Sequence, residues 1–339
     1  MGEHPSAEVR RAEQLSGQVE SVAQESTIDL RPNGGSRRAN TPMVISVRGL
    51  VKSYGDYQAV AGIDLDVREG EIFALLGPNG AGKTTTLEML EGYRRRDAGT
   101  VTVLGRDPEE ATLDWRARIG LVLQASTMPA ELTVAELVDR YASYYPHPRD
   151  VDETIELVGL TEKRNARAGR LSGGQQRRLD VALALVGDPE LVFLDEPTTG
   201  FDPAARRAAW SMIEDLRSLG KTILLTTHYM DEAEALADHI AILVAGQVAA
   251  EGSPATIGGR DHAPVEIRFL APDDFEPPVL SGLDLERDGD HLRVRSADAV
   301  QTVGELVDWA RATGTDLAGL EVRRPTLEDI YLTLAEQPK

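Results

Sequence analysis

The chain has 339 residues, room for about two domains at roughly 150 residues each, and 41% of them are hydrophobic, enough for a large core. With 36 Lys and Arg against 56 Asp and Glu, the formal charge of -20 argues against general binding to a nucleic-acid backbone, which needs clustered positive charge. Cysteine is absent and the 6 histidines form no His-x-x-x-His pair, which excludes disulfides and thiolate-held metals and leaves a histidine metal site without support.

No apolar run approaches the roughly 18 residues of a membrane span, and the N-terminus lacks the apolar core of a signal peptide. The sequence thus predicts a soluble, cytoplasmic chain; another polypeptide must supply the membrane part of any membrane process. Residues 1–42 mix Glu, Arg, Gln, Ser and Gly with few large apolar side chains, and Arg31 to Arg38 is rich in turn formers. That composition predicts a disordered extension.

From Met43 the pattern changes. Val44 to Val47 and Ala61 to Val67 alternate like strands, whereas Ile72 to Leu76 is continuously apolar, as in a strand buried on both faces. Ile119 to Leu123, Leu191 to Leu194, Ile223 to Thr226 and Ile240 to Val244 are further buried-strand candidates, with helical stretches between them. Such alternation predicts an α/β domain with a mainly parallel sheet. The stretch from Ala125 to Arg170 contains no convincing strand and reads as a helical insertion. Gly252 to Pro264 turns polar and reads as a linker. A small, acidic α+β region follows, with alternation at Val265 to Phe269, a hairpin at Asp288-Gly289, and a helix marked by Val300, Val303, Val307 and Ala310. Thr326 and Asp329 are spaced as a capping box for a last helix that ends near Leu334.

Gly77-Pro-Asn-Gly-Ala-Gly-Lys-Thr84 fits G-x-x-x-x-G-K-[ST], between an apolar strand and a helical stretch from Thr85 to Leu90. The glycines allow the backbone N–H groups to converge on phosphate oxygens, and the helix N-terminus adds partial positive charge. Lys83 would meet the terminal phosphates, and the Thr84 hydroxyl would ligate magnesium. Leu191 to Leu194 ends in Asp195 and Glu196. Asp195 is placed to hold the magnesium ion, and Glu196 to polarise the attacking water. Alone, the two carboxylates would read equally well as a helix cap.

Leu171-Ser-Gly-Gly-Gln175 precedes that strand, and a helix follows it with Leu179, Leu183 and Val186 on one face. Ser172 and its glycines therefore sit at a second helix N-terminus, either a plain cap or an anion site.

These residues resemble the nucleotide-binding subunit of ATP-binding-cassette (ABC) transporters. The resemblance runs from about Met43 to Ser253 in the family's order and implies an ABC-type P-loop NTPase fold, α/β with a helical subdomain, here with a small α+β C-terminal domain. It implies an ATP-binding domain over 43–258, a helical subdomain over about 125–170 and an accessory domain over 264–339. Tyr54 matches the residue that stacks on adenine. Gly77, Asn79, Gly80, Ala81, Gly82, Lys83, Thr84 and Thr85 match the phosphate loop. Gln124 matches the glutamine whose loop touches magnesium and the membrane subunit. Leu171, Ser172, Gly173, Gly174 and Gln175 match the signature that acts across a dimer. Asp195 and Glu196 match the magnesium-site Asp and the catalytic Glu. Asp202 matches the interface loop, and His228 the switch histidine at the γ-phosphate. Taken singly, Tyr54, Gln124 and His228 have commonplace readings; their order in the set carries the match. Phe201 departs from the Leu expected in Gly-Leu-Asp-Pro, which implies altered packing of the interface loop.

The resemblance further implies ATP and Mg2+ as ligands, and head-to-tail pairing with a second copy or a related subunit. It implies a separate multi-span membrane permease and a place at the cytoplasmic face of the membrane. Pro325 to Leu332 resembles the tail of drug-exporter cassettes of the daunorubicin-resistance type, although Leu327, Ile330 and Leu334 would also simply bury one helix face. Export of lipid or polysaccharide is the alternative cargo reading. A soluble cassette ATPase of translation or DNA repair fits less well, because the chain has one cassette, no long coiled coil and no basic surface.

Overall fold

The computed structural model describes residues 41–123, 128–271 and 285–335. All described residues but Thr41 belong to one compact unit, Pro42–Lys339. The expected disorder over 1–42 therefore lies, apart from Thr41 and Pro42, outside the described residues.

Two long strands open the fold, β1 (Met43–Tyr54) and β2 (Tyr57–Arg68), and pair antiparallel. With β4 (Ala98–Val103) they form a three-stranded sheet in the order β2-β1-β4. The central sheet has six strands in the order β5-β6-β7-β3-β8-β9: Ile119–Val122, Leu191–Asp195, Thr222–Thr227, Ile72–Leu76, His239–Val244 and Gln247–Gly252. Its first five are parallel; β9 runs antiparallel on the edge.

Strands β3, β6 and β7 are buried at every position, as their continuous apolar runs require. Ile72, Ala74 and Leu76 face one core, while Phe73 and Leu75 face the other. The period of two thus gives each sheet face its own apolar set. Register brings Leu76 level with Thr227, and Asp195 level with Thr226. The three loops that leave β3, β6 and β7 start from one line at the carboxyl end of the sheet, where ligands bind in open α/β folds.

Helix α1 (Lys83–Leu90) follows β3, and α2 (Leu113–Arg116) precedes β5. Residues 128–170 hold α3 (Val134–Ala142), capped by a Thr133–Glu136 box, α4 (Val151–Leu157), capped by Asp150, and two 3-10 turns. No strand forms there among the described residues; Thr133 and Arg167 make an isolated bridge. Leu137, Val138 and Ile155 pack with Leu179 of α5 (Gly173–Leu185) in the first core. Helices α6 (Pro203–Ser218) and α7 (Met230–Leu236) flank β7 in sequence.

A four-stranded antiparallel sheet, β11-β12-β10-β13, occupies the C-terminal part: β10 (Val265–Leu270), β11 (Glu286–Asp288), β12 (His291–Ser296) and β13 (Glu321–Arg323). Its core is Ile267, Phe269, Leu292 and Val294 against Leu306 of α8 (Ala299–Thr313). The Asp288-Gly289 hairpin forms as read, with Gly289 at a φ of 59°. The apolar stripe of α8 is partly as read: Val303 packs on this core and Ala310 is buried, together with Thr302 and Leu306, while Val300 is 85% exposed. An i, i+4 stripe through 306 excludes the first-turn valine, which lies about 120° around the helix from Leu306. Helix α9 (Leu327–Ala335) starts at the Thr326–Asp329 box and sends Leu327 into the first core beside Ile257, with Ile330 and Leu334 against it. No helix among the described residues is long and apolar enough to cross a membrane.

Candidate functional site

The loop from Gly77 to Gly82 is fixed from outside as well as by its own turns. A Cβ on Gly77 would lie 2.5 Å from the Leu243 carbonyl oxygen, at the end of β8. On Gly82, whose φ is 99°, it would collide with the Ala59 carbonyl of β2. Only glycine meets both demands, so the backbone of the loop is clamped between two strands. The Lys83 side chain is buried, and its Nζ donates to the carbonyls of Gly77 at 2.9 Å and Pro78 at 3.2 Å. It also lies 3.5 Å from Glu196 Oε1. Burial pulls the ammonium below its ordinary pKa, and the Glu196 charge opposes that pull.

Tyr54, Asn79, Gly80, Gly82, Lys83, Thr84, Thr85 and Glu196 border one cleft of about 320 Å³. Ala81 is buried beneath the loop. The exposed Tyr54 ring is flanked by Lys52, 5.9 Å from its centroid, and Arg94, at 5.3 Å. Tyr57, which the sequence reading passed over, donates its hydroxyl proton to the Gly80 carbonyl at 2.9 Å.

Strand β6 delivers two carboxylates with different surroundings. Asp195 accepts from Thr226 Oγ1 at 2.5 Å and from Thr84 Oγ1 at 3.3 Å. Glu196 turns away at a φ of 47°, a left-handed conformation that costs a non-glycine residue about 1 kcal/mol or more. Its N–H donates to the Thr226 backbone oxygen at 3.2 Å and to its hydroxyl at 3.0 Å, which holds the turn. Its carboxylate accepts from Thr199 Oγ1 at 3.0 Å and stands 3.4 Å from His228 Nδ1, beyond hydrogen-bond geometry for that buried nitrogen. Burial on its own would raise the Glu196 pKa. The Thr199 hydroxyl, Lys83 and His228 outweigh it and hold the group below the ordinary carboxylate value. At the far end of α1, Glu91 shows the opposite balance: burial, with Asp195 and Glu88 nearby, pushes its carboxyl up to about 8.

The second helix N-terminus is built differently. Ser172 and Gln175 cap each other: Ser172 Oγ accepts from the Gln175 N–H at 3.3 Å, and Gln175 Oε1 accepts from the Ser172 N–H at 3.0 Å. Leu171 is buried, but among the described residues nothing lies within 4 Å of a Cβ built on Gly173 or Gly174. Asp202 caps α6 by accepting from Ala204 and Ala205, both at 2.9 Å. Ser172, Gly173, Gly174, Phe201 and Asp202 border a cleft of about 640 Å³, and Glu196 lines it too. Gln124 lies outside the described residues. Arg177, unread in the sequence, donates to the carbonyls of Leu123, Asp195 and Pro197. Its signal was a charge on the inward stripe of α5, in step with buried Val181 and Leu185.

Residues 60–199 match the family model described as ABC transporter, and residues 265–326 match that of the ABC transporter domain-containing protein-like C-terminal domain. Over 304 residues the chain is 40% identical to Nod factor export ATP-binding protein I of Rhizobium johnstonii, covering 87% of this chain and 95% of that protein. It belongs to the ABC transporter family. A protein of the same description from Burkholderia lata is 42% identical over 297 residues, covering 86% and 96%. Among solved structures, an ATP-binding cassette of an ABC transporter in its ADP conformation superposes with a TM-score of 0.57 at 26% identity, over 63% of this chain and 92% of that one. An ATP-binding subunit of an ABC transporter superposes over 86% of this chain and all of its own, with a TM-score of 0.60 at 21% identity, a likeness of fold. The chain is accordingly an ABC ATPase subunit, and ATP hydrolysis coupled to transport is its activity. Subunits of this family dimerise and work with membrane permeases.

Proposed function

We propose that this ABC ATPase drives an exporter of amphipathic molecules, of the drug-export type, from the cytoplasmic face of the membrane. Relatives named for export of Nod factor, similar over most of the chain, support the direction of transport. In this reading residues 43–258 bind and hydrolyse ATP, and residues from 264 onward form an accessory domain. The permease is a separate multi-span chain, and the region around Gln124 and residues 128–170 faces it.

Tyr54 would carry the adenine, the Gly77–Thr85 loop the phosphates, and Lys83 the terminal phosphate charge. The donors Thr84 Oγ1 and Asp195 are hard oxygens 3.3 Å apart, which fits Mg2+, an ion that takes few protein ligands and completes its shell with phosphate and water. When bound, magnesium offsets the charge of the β- and γ-phosphates. Glu196, held ionised, accepts a proton from the water that attacks the γ-phosphorus as the bond to the bridging oxygen breaks. His228, beside Glu196, contacts the γ-phosphate.

One observation carries the two-chain part of this reading. Gly173 and Gly174 open a helix, where each costs up to about 1 kcal/mol against Ala, yet among the described residues nothing in their own chain needs them small. Close approach by something outside the chain explains them: the ATP held by a partner's phosphate loop, with Asp202 beside the shared surface. ATP then bridges two subunits, and its hydrolysis releases them. The test is Glu196→Gln in the full chain. ATP binding should persist, turnover should fall about a hundredfold or more, and ATP should drive dimer formation in size-exclusion light scattering. Unchanged turnover, or a monomer at saturating ATP, contradicts the proposal.

A further inference from the structure

Arg177 sits one turn into α5, four residues after Gly173, with 11% of its side chain exposed. Its guanidinium is spread over three backbone carbonyls. Nε donates to Pro197 O at 3.2 Å, Nη2 to Asp195 O at 2.9 Å, and Nη1 to Leu123 O. Asp195 and Pro197 are the two chain neighbours of Glu196, and Leu123 is the residue before Gln124. One side chain thus fastens the signature helix to both sides of the left-handed turn that aims Glu196.

A buried guanidinium is an expensive way to hold a helix in place. Leu or Met would pack there without desolvating a charge. What an apolar residue lacks is direction: a planar fork of donors fixes three carbonyls in one arrangement. The turn it holds is conditional. Glu196 holds its φ of 47° through its own bonds to Thr226 and Thr199, while Arg177 ties the carbonyls of its two neighbours, Asp195 and Pro197. A shift of the Ser172 turn is carried along rigid helix for about 6 Å and reaches Arg177 almost undiminished.

We propose that Arg177 is a positioning residue that makes the aim of Glu196 depend on what occupies the Ser172–Gln175 turn of the same chain, and so couples the two nucleotide sites of a dimer. The inference rests on the reading that this turn meets the partner's ATP. ATP on the partner seats α5, Arg177 seats the peptides that flank Glu196, and the chain's own ATP is then hydrolysed. Loss of Arg177 should leave each site able to bind and should separate them in turnover.

The test compares the full chain with Arg177→Gln and Arg177→Lys, by ATPase rate against ATP concentration and by binding of a fluorescent ATP analogue. The same substitutions are made in the Glu196→Gln background to read dimer formation. For the unmodified chain a Hill coefficient above about 1.5 is expected, and for Arg177→Gln a value near 1, with kcat lowered about tenfold and nucleotide affinity within about twofold. Arg177→Lys, with one donor group in place of a fork, should fall between them. It also serves as the readout should Arg177→Gln fail to fold. A merely structural role lowers the fraction of active protein, and with it the amplitude, but not the cooperativity. A variant that keeps the full Hill coefficient therefore overturns the inference and leaves the dimer reading intact. Failure of the Glu196→Gln chain to dimerise in ATP instead removes the dimer reading, and this inference with it.

Discussion

The two helix N-termini of this ABC ATPase, those of α1 and α5, are both glycine-rich and are held in place in opposite ways. The phosphate loop before α1 is finished within the chain: Gly77 and Gly82 lie against the backbone of β8 and β2, and the Lys83 ammonium is gripped by two carbonyls of the loop. The turn before α5 is capped by its own Ser172–Gln175 box, and its glycines face open space among the described residues. One helix N-terminus is preorganised by its own fold; the other, in the proposed reading, is completed by a surface from elsewhere. In the proposed two-chain reading, that difference is why a chain with two glycine-rich helix N-termini needs a second copy to use both.

Glycine substitution is the sharpest way to break that comparison. Gly82→Ala combines an unfavourable φ with a backbone collision, and should cost about 3 kcal/mol or more in thermal or denaturant unfolding of the full chain. Gly174→Ala meets no such obstacle. It should leave stability unchanged or raise it by up to about 1 kcal/mol, yet lower turnover about a hundredfold, because in the proposed reading the added methyl meets the partner's nucleotide. Equal loss of stability at both positions would erase the distinction.

A smaller effect sharpens the picture of α1, which is embedded at both ends. Glu91 caps its far end, with its carboxyl raised from 4.5 to about 8 by burial and by Asp195 and Glu88. Below about pH 4.5 that group is protonated whether the chain is folded or not, and it costs nothing. Between there and about pH 8 only the unfolded chain releases the proton, so stability declines as pH rises and the loss is complete above that range. Glu91→Gln should match the parent near pH 4.5 and exceed it at pH 8.5 by up to about 5 kcal/mol in denaturant unfolding. A pH-independent difference would mean that the carboxyl is not the titrating group.

How much of this was legible in the sequence follows from where the determinants lie. Buried parallel strands announce themselves as continuous apolar runs, so β3, β6, β7 and β8 were readable almost to the residue. Edge strands do not: β4 has its first three residues exposed and β9 alternates weakly, and both exist because a neighbour offers a ladder to join. The candidate site residues were read as ordered motifs, and the structure brings Tyr54, the glycine-rich loop, Asp195, Glu196 and His228 to one place. What supports them was not. Thr226, Thr199 and Arg177 act on Glu196 from 30, 3 and 19 positions away along the chain, by hydrogen bonds that only the sheet order and the seating of α5 create. Val300 failed for the reverse reason: helical spacing alone does not say which stripe faces the sheet.

The absence of cysteine from the chain makes the head-to-tail pairing directly measurable. Asn79→Cys and Ser172→Cys are placed on separate copies of the Glu196→Gln chain, mixed, and oxidised with and without ATP. A disulfide-linked pair of unlike chains should form in the mixture and only with ATP, while neither variant links to itself. Self-linked pairs, or no link between phosphate loop and signature turn at saturating ATP, would contradict that pairing.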